Sequence, residues 1–213
     1  MSGIGLSGSH GTGKSTLAEA CVEAFGIQFV RSEASRIIRE AGYSAATDYD
    51  FETRLHLQEL ILDGAIESYE VNKYQTFITD RTPLDFLTYL MTDIGRNNVS
   101  DELAQRLASY RAKCYKALNR YFNVAIILQP GIPLVAREGR GSPNLAYAEH
   151  FTATITGLAC NSELTIQKTT IPRHVIDLDQ RVSAVDQSLK LAFRNFDVAA
   201  KRKGALVVSK GVH

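Results

Sequence analysis

Short apolar runs alternate along the chain with longer segments whose apolar residues recur at helical spacing. Five of these runs are predicted to be strands, at residues 3–7, 27–30, 74–79, 124–128 and 174–178. The fourth run is almost purely apolar, which is typical of a central parallel strand covered on both faces. Strands that alternate with helices predict an α/β domain built on a parallel sheet.

Between and after these runs, apolar stripes and capping signals predict seven helices. The first six are expected at residues 16–25, 32–42, 48 or 50 to 72, 84–93, 100–118 and 145–168, and the last carries inward-facing apolar residues from Val182 to Phe196 and ends at Gly204. Ser32 or Ser35 is expected to cap the second helix, the third is expected to begin at Asp48 or Asp50, and Ser100 is expected to open the fifth. Thr82 is expected to cap the fourth, because a proline in the first turn follows it. Residues 205–213 are expected to form a loose tail.

Size and charge narrow the class of protein. A chain of 213 residues with 45% hydrophobic residues suits a single domain, here 1–213, with an inserted lid. The chain has 24 Lys plus Arg residues and 23 Asp plus Glu residues. It therefore lacks the excess of basic residues that is usual in proteins that bind nucleic acid regardless of sequence, although this balance is compatible with a local basic groove. No apolar run approaches membrane-spanning length, and the three cysteines lack metal-ligand spacing. We therefore expect a soluble cytoplasmic protein with free thiols, and no membrane partner.

The most specific motif lies between the first predicted strand and the first predicted helix. Its residues are Gly8, Ser9, His10, Gly11, Thr12, Gly13, Lys14, Ser15 and Thr16. They fit the phosphate-binding P-loop pattern, in which glycines let backbone N–H groups turn inward toward a phosphate. Lys14 is expected to reach the β- and γ-phosphates of ATP, and the Ser15 hydroxyl to bind Mg²⁺. The alternative is a glycine-rich turn that only joins strand to helix.

A second motif follows the third predicted strand. Asp80 ends that strand, and an acid in this place usually supports the Mg²⁺ of a P-loop enzyme. Hydrolysing ATPases commonly carry a second acid next, but this chain has Arg81. A cation there suits an anionic acceptor or a transferred phosphoryl group. The alternative is a structural Asp–Arg pair that caps a helix.

Three polar residues are candidates for binding the acceptor. Glu33 and Arg36 lie three positions apart on one helical face after the second predicted strand, and Gln58 lies near the start of the third helix. Ligands of parallel α/β sheets bind at the carboxyl ends of the strands, where this turn is expected. The alternatives are a surface ion pair for Glu33 and Arg36 and an exposed side chain for Gln58.

Residues 131–144 are predicted to be a lid. Glycines and prolines bound this segment, and it contains Arg137 and Arg140. Mobile loops with cations close over the γ-phosphate in phosphoryl-transfer enzymes and exclude water. The alternative is a solvated loop.

These motifs occur in the order found in P-loop nucleoside and nucleotide kinases. The chain resembles the thymidylate-kinase-like group, the AAA-type kinase domain of bifunctional nicotinamide riboside kinase regulators, and small bacteriophage nucleotide kinases. The resemblance implies a three-layer α/β fold, with a five-stranded parallel sheet flanked by helices and an arginine-bearing lid. It also implies residue roles: Lys14 for the phosphates, Ser15 and Asp80 for Mg²⁺, Arg81 for the acceptor or its phosphate, Arg137 and Arg140 for the transferring phosphoryl group, and Glu33 for the acceptor hydroxyl.

The turn after the second strand departs from the pattern of thymidylate kinases. Those enzymes carry an Arg-Glu-Pro-Gly type of run there, whereas this chain has Arg31-Ser32-Glu33-Ala34, which argues against dTMP itself as acceptor. The chain also resembles, in size and motif layout, phage kinases that phosphorylate 5-hydroxymethyluracil within DNA. Such an acceptor needs an open groove and a flipped base, and Glu33 or Asp80 as general base.

The sequence thus predicts a Mg-ATP-dependent kinase that acts on a pyrimidine deoxynucleotide-type acceptor, free or in DNA. The partners expected are this nucleotide or nucleoside, and a second copy of the chain in a homodimer; a phage-encoded protein would work in the host cytoplasm. Alternatives are a nicotinamide riboside or other nucleoside kinase, and a P-loop ATPase or regulatory nucleotide-binding module. A GTP-binding regulator would need an Asn-Lys-x-Asp guanine reader, and the run 72–75 lacks the acid.

Overall fold

A computed structural model describes residues 2–44, 47–94, 99–133 and 144–209. Within these residues the chain forms five strands and seven helices. In chain order they are β1 (Ser2–Ser7), α1 (Lys14–Phe25), β2 (Gln28–Phe29), α2 (Ala34–Glu40), α3 (Phe51–Asn72), β3 (Thr76–Thr79), α4 (Pro83–Ile94), α5 (Asp101–Tyr121), β4 (Phe122–Leu128), α6 (Leu145–Ala159), β5 (Gln167–Ile171) and α7 (Leu178–Ser209).

The five strands form one parallel sheet in the order β2-β3-β1-β4-β5. One face packs against α1 and α7, through Leu17, Cys21 and Val185. The opposite face packs against α3, α4, α5 and α6 in a larger cluster that includes Phe77 and Phe122. This arrangement confirms the predicted three-layer α/β fold with a five-stranded parallel sheet.

The register of the sheet brings three chain segments to one edge. Gly5 of β1 pairs with Thr79 of β3, and Ser7 pairs with Ile127 of β4. The P-loop after β1, the Asp80 turn after β3 and the segment after β4 therefore leave the sheet at the same edge, which is where parallel α/β sheets bind ligands.

The prediction was wrong after α6. That helix ends at Ala159 rather than at 168, and the last strand is Gln167–Ile171 rather than 174–178. Tight turns close the helix, since Asn161 N–H bonds Leu158 O and Leu164 N–H bonds Asn161 O. The β-branched end of β5 then pairs with β4, where Leu128 faces Ile171.

The last helix differs from the prediction at both ends. α7 begins at Leu178, a residue predicted to lie in the last strand, because Asp177 Oδ1 accepts from Gln180 N–H and caps the helix. It continues through Gly204 to Ser209, so residues 205–209 are not a loose tail, and residues 210–213 lie outside the described part. A single glycine costs a helix only about 1 kcal/mol and does not have to end it. Phe193, predicted to face inward, is 44% exposed.

Several helix starts agree with the prediction and one does not. Asp50 and Ser100 cap α3 and α5 by accepting from the N–H groups of Thr53 and Leu103. The N-cap of α2 is Glu33, with no side-chain bond, so neither Ser32 nor Ser35 caps it.

Two further expectations concern cysteines and membranes. The three cysteines are free thiols, with Cys21 and Cys114 buried and Cys160 exposed. Burial raises the pKa of Cys21 and of Cys114 to about 12. No helix in the described ranges has the length and apolar character needed to cross a membrane.

Candidate active site

The loop between β1 and α1 has the backbone of an anion-binding site. Gly11 and Gly13 have φ angles of 79° and 81°, in the left-handed region that residues other than glycine rarely adopt. Gly13 is also the N-cap of α1, and it offers no side chain to cap the first-turn N–H groups. Those groups and the positive end of the helix dipole are therefore available to a phosphate.

Lys14 folds back over this loop. Its Nζ donates to the carbonyl oxygens of Gly8 at 2.6 Å and Ser9 at 2.8 Å. The ammonium group thus lies beside the same loop whose N–H groups turn inward. A lysine in this position is a point charge for phosphate oxygens.

A direct contact joins the P-loop helix to the end of β3. Ser15 Oγ donates to Asp80 Oδ2 at 2.5 Å, and both side chains are accessible to solvent. A hydroxyl and a carboxylate are the hard oxygen ligands that Mg²⁺ prefers, so the pair fits the predicted metal site. No cluster of three or more His, Cys, Asp or Glu residues suited to a metal occurs among the described residues.

Arg81 and His10 meet at one aromatic ring. The guanidinium of Arg81 lies 5.4 Å from the ring centroid of Tyr89, on α4. The hydroxyl of Tyr89 is 2.9 Å from His10 Nε2, and its ring lies 4.8 Å from that of Phe151. Asp80 contacts Ser15 and Arg81 contacts Tyr89, and the two residues form no ion pair with each other within the described part of the chain. His10 of the P-loop and Arg81 thus contact the same residue of α4, Tyr89.

A buried carboxylate holds the two motifs together. Asp85, only 1% exposed, accepts from Gly8 N–H at 2.9 Å and from Thr82 N–H at 3.0 Å. The Thr82 hydroxyl donates to the same carboxylate and lies 2.8 Å from Ser7 Oγ. The start of the P-loop and the start of α4 are therefore fixed to one another.

Glu33 and Arg36 form the predicted pair. Arg36 Nε donates to Glu33 Oε2 at 2.6 Å, and its Nη1 donates to Glu40 at 2.7 Å. These contacts are exposed, and the hydrogen bonds to Glu40 and Glu33 raise the pKa of Arg36. Glu33 also lines a small cavity at the carboxyl ends of β2 and β3, so it is both a surface ion-pair partner and a cavity residue.

The cavity lies between α2 and α3 and has a volume of about 10 Å³. Its lining includes Val30, Ser32, Glu33, Ile37, Ile61 and Phe86. That volume holds about one water molecule, so a larger ligand requires α2 to move away from α3. Gln58 lies about one helical turn before Ile61 on α3, and its buried Oε1 has no hydrogen-bond partner among the described residues.

The predicted lid falls mostly outside the described residues. Arg137 and Arg140 belong to residues 134–143, which the structure does not describe. The start of the segment reaches the P-loop, because a Cβ added at Gly13 would lie 2.9 Å from Ile132 Cδ1. At its end, Asn144 caps α6 by accepting from Tyr147 N–H at 2.9 Å.

Sequence reasoning missed three residues of this region: Asp85, Tyr89 and Arg181. A signal existed for Asp85, since an acid three positions after the Thr82 cap can form a capping box. No signal distinguished Tyr89 from the other apolar residues of its helix. Arg181 donates to the carbonyl of Thr12 in the P-loop at 2.7 Å. It was not predicted because the last strand was placed too late in the chain.

These features define a P-loop protein with the three-layer fold of nucleoside and nucleotide kinases. More particularly, a sequence model of the AAA domain family matches residues 4–163, three quarters of the chain, and the chain belongs to this family. No curated protein matches its sequence significantly.

Solved structures share the fold at low sequence identity. A deoxyadenosine kinase from M. mycoides with dCMP and dCDP bound is 17% identical, with a TM-score of 0.63 over 88% of this chain and 98% of that one. A thymidylate kinase from Candida albicans is 12% identical, with a TM-score of 0.60 over 89% and 91%. NadR in complex with NAD and AMP-PNP is 13% identical, with a TM-score of 0.58 over 87% of this chain and 48% of that one. These likenesses confirm the predicted fold.

Proposed function

We propose that the protein is a Mg-ATP-dependent kinase that transfers the γ-phosphate of ATP to a nucleoside-class acceptor. The observation that carries this proposal is the contact of Ser15 with Asp80 at 2.5 Å, beside Lys14 on the same loop. It supports the proposal because a hydroxyl, a carboxylate and a lysine are the groups that bind Mg²⁺ and the phosphates in a phosphoryl-transfer site. In such a site catalysis is mainly positioning and electrostatic stabilisation.

The residue after Asp80 favours a kinase over an ATPase. Arg81 occupies the place of the second acid that activates water in hydrolysing ATPases, and its guanidinium lies against Tyr89 beside the P-loop. A cation at this point stabilises the anionic oxygens of an acceptor or of the group in transfer. Within the proposal, Arg137 and Arg140 close over the same phosphoryl group.

For the acceptor we propose a pyrimidine deoxynucleotide, thymidylate-like or 5-hydroxymethyl-dU, free or within DNA. Glu33, Arg36 and Gln58 would contact it from the region of the cavity between α2 and α3. The unpartnered Oε1 of Gln58 supports this, because a buried acceptor atom needs a donor such as the N–H of a base. Kinases for a deoxynucleoside and for thymidylate among the structural neighbours also support it.

A transfer assay with γ-labelled ATP tests the proposal. The panel contains dTMP, deoxynucleosides, 5-hydroxymethyl-dUMP, nicotinamide riboside, and single- and double-stranded oligonucleotides carrying 5-hydroxymethyluracil. We expect label on a free pyrimidine nucleotide or on the modified oligonucleotide, and its loss in Lys14→Ala. Lys190→Ala is the matched control, because Lys190 is an exposed lysine paired with Asp186.

The panel also separates the alternatives. Label on nicotinamide riboside would keep the kinase and replace the acceptor. Release of free phosphate with no labelled acceptor would favour an ATPase and contradict the proposal, as would full transfer by Lys14→Ala. A homodimer remains a prediction, which sedimentation of the purified protein tests.

A further inference from the structure

Arg181 is a buried cation packed behind the P-loop. It is 1% exposed and is the largest fully buried side chain of the described residues. Its Nη1 donates to Thr12 O, and its Nε donates to Val175 O, each at 2.7 Å. A Cβ placed on Gly13 would lie 3.1 Å from Nη1, so the guanidinium touches the loop backbone directly before Lys14.

No carboxylate of the described residues compensates the charge of this side chain. Arg181 makes no ion pair with a carboxylate of the described residues, and its buried Nη2 has no hydrogen-bond partner among them. Burial lowers the pKa of Arg181. An uncompensated buried charge is costly, and an unsatisfied buried donor in a folded protein requires an explanation.

A role limited to holding these two segments together does not account for every donor of this side chain. The two backbone carbonyls accept only from Nε and Nη1, which leaves Nη2 without a partner among the described residues. The P-loop binds an anion through the same backbone that Arg181 touches. Mg-bound ATP and inorganic tripolyphosphate are both net anionic, so either one compensates the guanidinium.

We propose that Arg181 is a positioning residue of the donor site, whose buried charge is compensated when the triphosphate of a nucleotide occupies the P-loop. It fixes the loop at Thr12 against the turn after β5 at Val175, and its field adds to that of Lys14. This proposal rests on the donor half of the proposed function alone and is independent of the acceptor.

Two variants separate the charge from the packing. Arg181→Met removes the charge and keeps much of the volume, while Arg181→Lys keeps the charge and loses the planar fork. We would measure the dissociation constants of Mg-ATP and of Mg-tripolyphosphate by calorimetry, and the thermal midpoint of each protein without ligand. Arg173→Met is the matched control, since Arg173 precedes the same helix but is exposed and paired with Glu149.

We expect Arg181→Met to weaken both ligands by the same factor, roughly tenfold or more, as for the loss of a charge-assisted interaction. Arg181→Lys should lose less, and Arg173→Met should bind both ligands like the wild type. The unliganded midpoint of Arg181→Met should change little, because removal of a buried unpaired charge offsets the loss of the hydrogen bonds to the carbonyls of Thr12 and Val175.

Other results would overturn the proposal. Unchanged affinities with a lower unliganded midpoint would make Arg181 a structural clip. Weaker binding of ATP with unchanged binding of tripolyphosphate would assign it to the nucleoside instead of the phosphates. Both results leave the proposed kinase intact, whereas a wild-type protein that binds neither ligand would overturn the kinase as well.

Discussion

The carboxylate of Asp85 accepts a hydrogen bond of 2.9 Å from the backbone N–H of Gly8, the first residue of the P-loop, 77 positions earlier in the chain. The same carboxylate accepts from the N–H and the hydroxyl of Thr82 at the start of α4. One buried side chain thus sets the position of the phosphate loop relative to the turn that carries Asp80 and Arg81.

Replacing Asp85 should therefore lower both stability and activity. Asp85→Ala leaves the N–H groups of Gly8 and Thr82 buried without an acceptor, and we expect a loss of about 2–4 kcal/mol of unfolding free energy. Asp85→Asn keeps the shape but turns one oxygen into a donor, so its loss should be intermediate. Urea unfolding measures both variants, and Asp186→Asn on the surface is the control. Wild-type stability of Asp85→Ala would show that the contact is dispensable.

The parts of the site that sequence reasoning predicted are those encoded by neighbouring residues. The P-loop is a contiguous pattern, and Asp80 and Arg81 directly follow a short apolar run, so the chain order alone placed them at the sheet edge. The contacts of Asp85 with Gly8 and of Tyr89 with His10 join residues 77 and 79 positions apart, and no local pattern indicates them.

Arg181 was missed for a different physical reason. The apolar residues of 174–178 resemble a strand, whereas the true strand, Gln167–Ile171, is polar at all but its last position. An edge strand next to β4 alone can alternate polar and half-buried residues, so hydrophobicity did not distinguish the two segments. Because the last strand was predicted at 174–178, the first turn of α7 was not expected beside the P-loop. The contact of Arg181 with that loop was therefore missed.

The Ser15–Asp80 contact predicts a shared dependence on Mg²⁺. Ser15→Ala and Asp80→Asn should each raise the Mg²⁺ concentration needed for half-maximal ATP binding by about 10- to 100-fold. Because the two side chains touch at 2.5 Å, the double variant should lose less than the sum of the single losses in free energy. Calorimetric titration of ATP at a series of Mg²⁺ concentrations measures this coupling.

Ser109→Ala is a suitable control for that cycle, since the exposed Ser109 hydroxyl bonds only the preceding turn of its own helix at Gln105 O. Strict additivity of Ser15→Ala and Asp80→Asn would indicate that the two side chains do not serve one ion.

A glycine on α3 offers a test of the acceptor region. An added Cβ at Gly64 would lie 2.6 Å from Ile37 Cδ1 across the α2–α3 interface, beside the cavity that both residues line. Gly64→Ala should displace the end of the Ile37 side chain and reshape the cavity, and we expect the KM of the acceptor to change about tenfold while the KM of ATP stays constant.

Gly157→Ala on α6 is the matched control, because an added Cβ there meets nothing within 4 Å. It should raise the unfolding free energy by up to about 1 kcal/mol through helix propensity, without changing either KM. An acceptor KM of Gly64→Ala equal to that of the wild type would place the acceptor away from the α2–α3 interface.

Glu70 provides a pH-dependent contribution to stability far from the site. Hydrogen bonds from Lys73 and Tyr121, followed by the nearby charges of Lys73 and Arg120, lower the pKa of Glu70 to about 2. Because the folded-state pKa lies below the unfolded value of about 4.3, the stabilisation is complete above that value. It is lost as the pH falls from there through the folded-state pKa.

The thermal midpoint of Glu70→Gln should therefore lie below that of the wild type at pH 6–7, and the difference should shrink progressively below about pH 4. Added salt should also reduce the difference at neutral pH, because the Glu70 side chain is 37% exposed and its ion pairs are partly screened. Glu67→Gln, an exposed position on the same helix, is the control and should behave like the wild type throughout. A difference between wild type and Glu70→Gln that is constant from pH 7 to 3 would mean that packing, not the charge of Glu70, stabilises the end of α3.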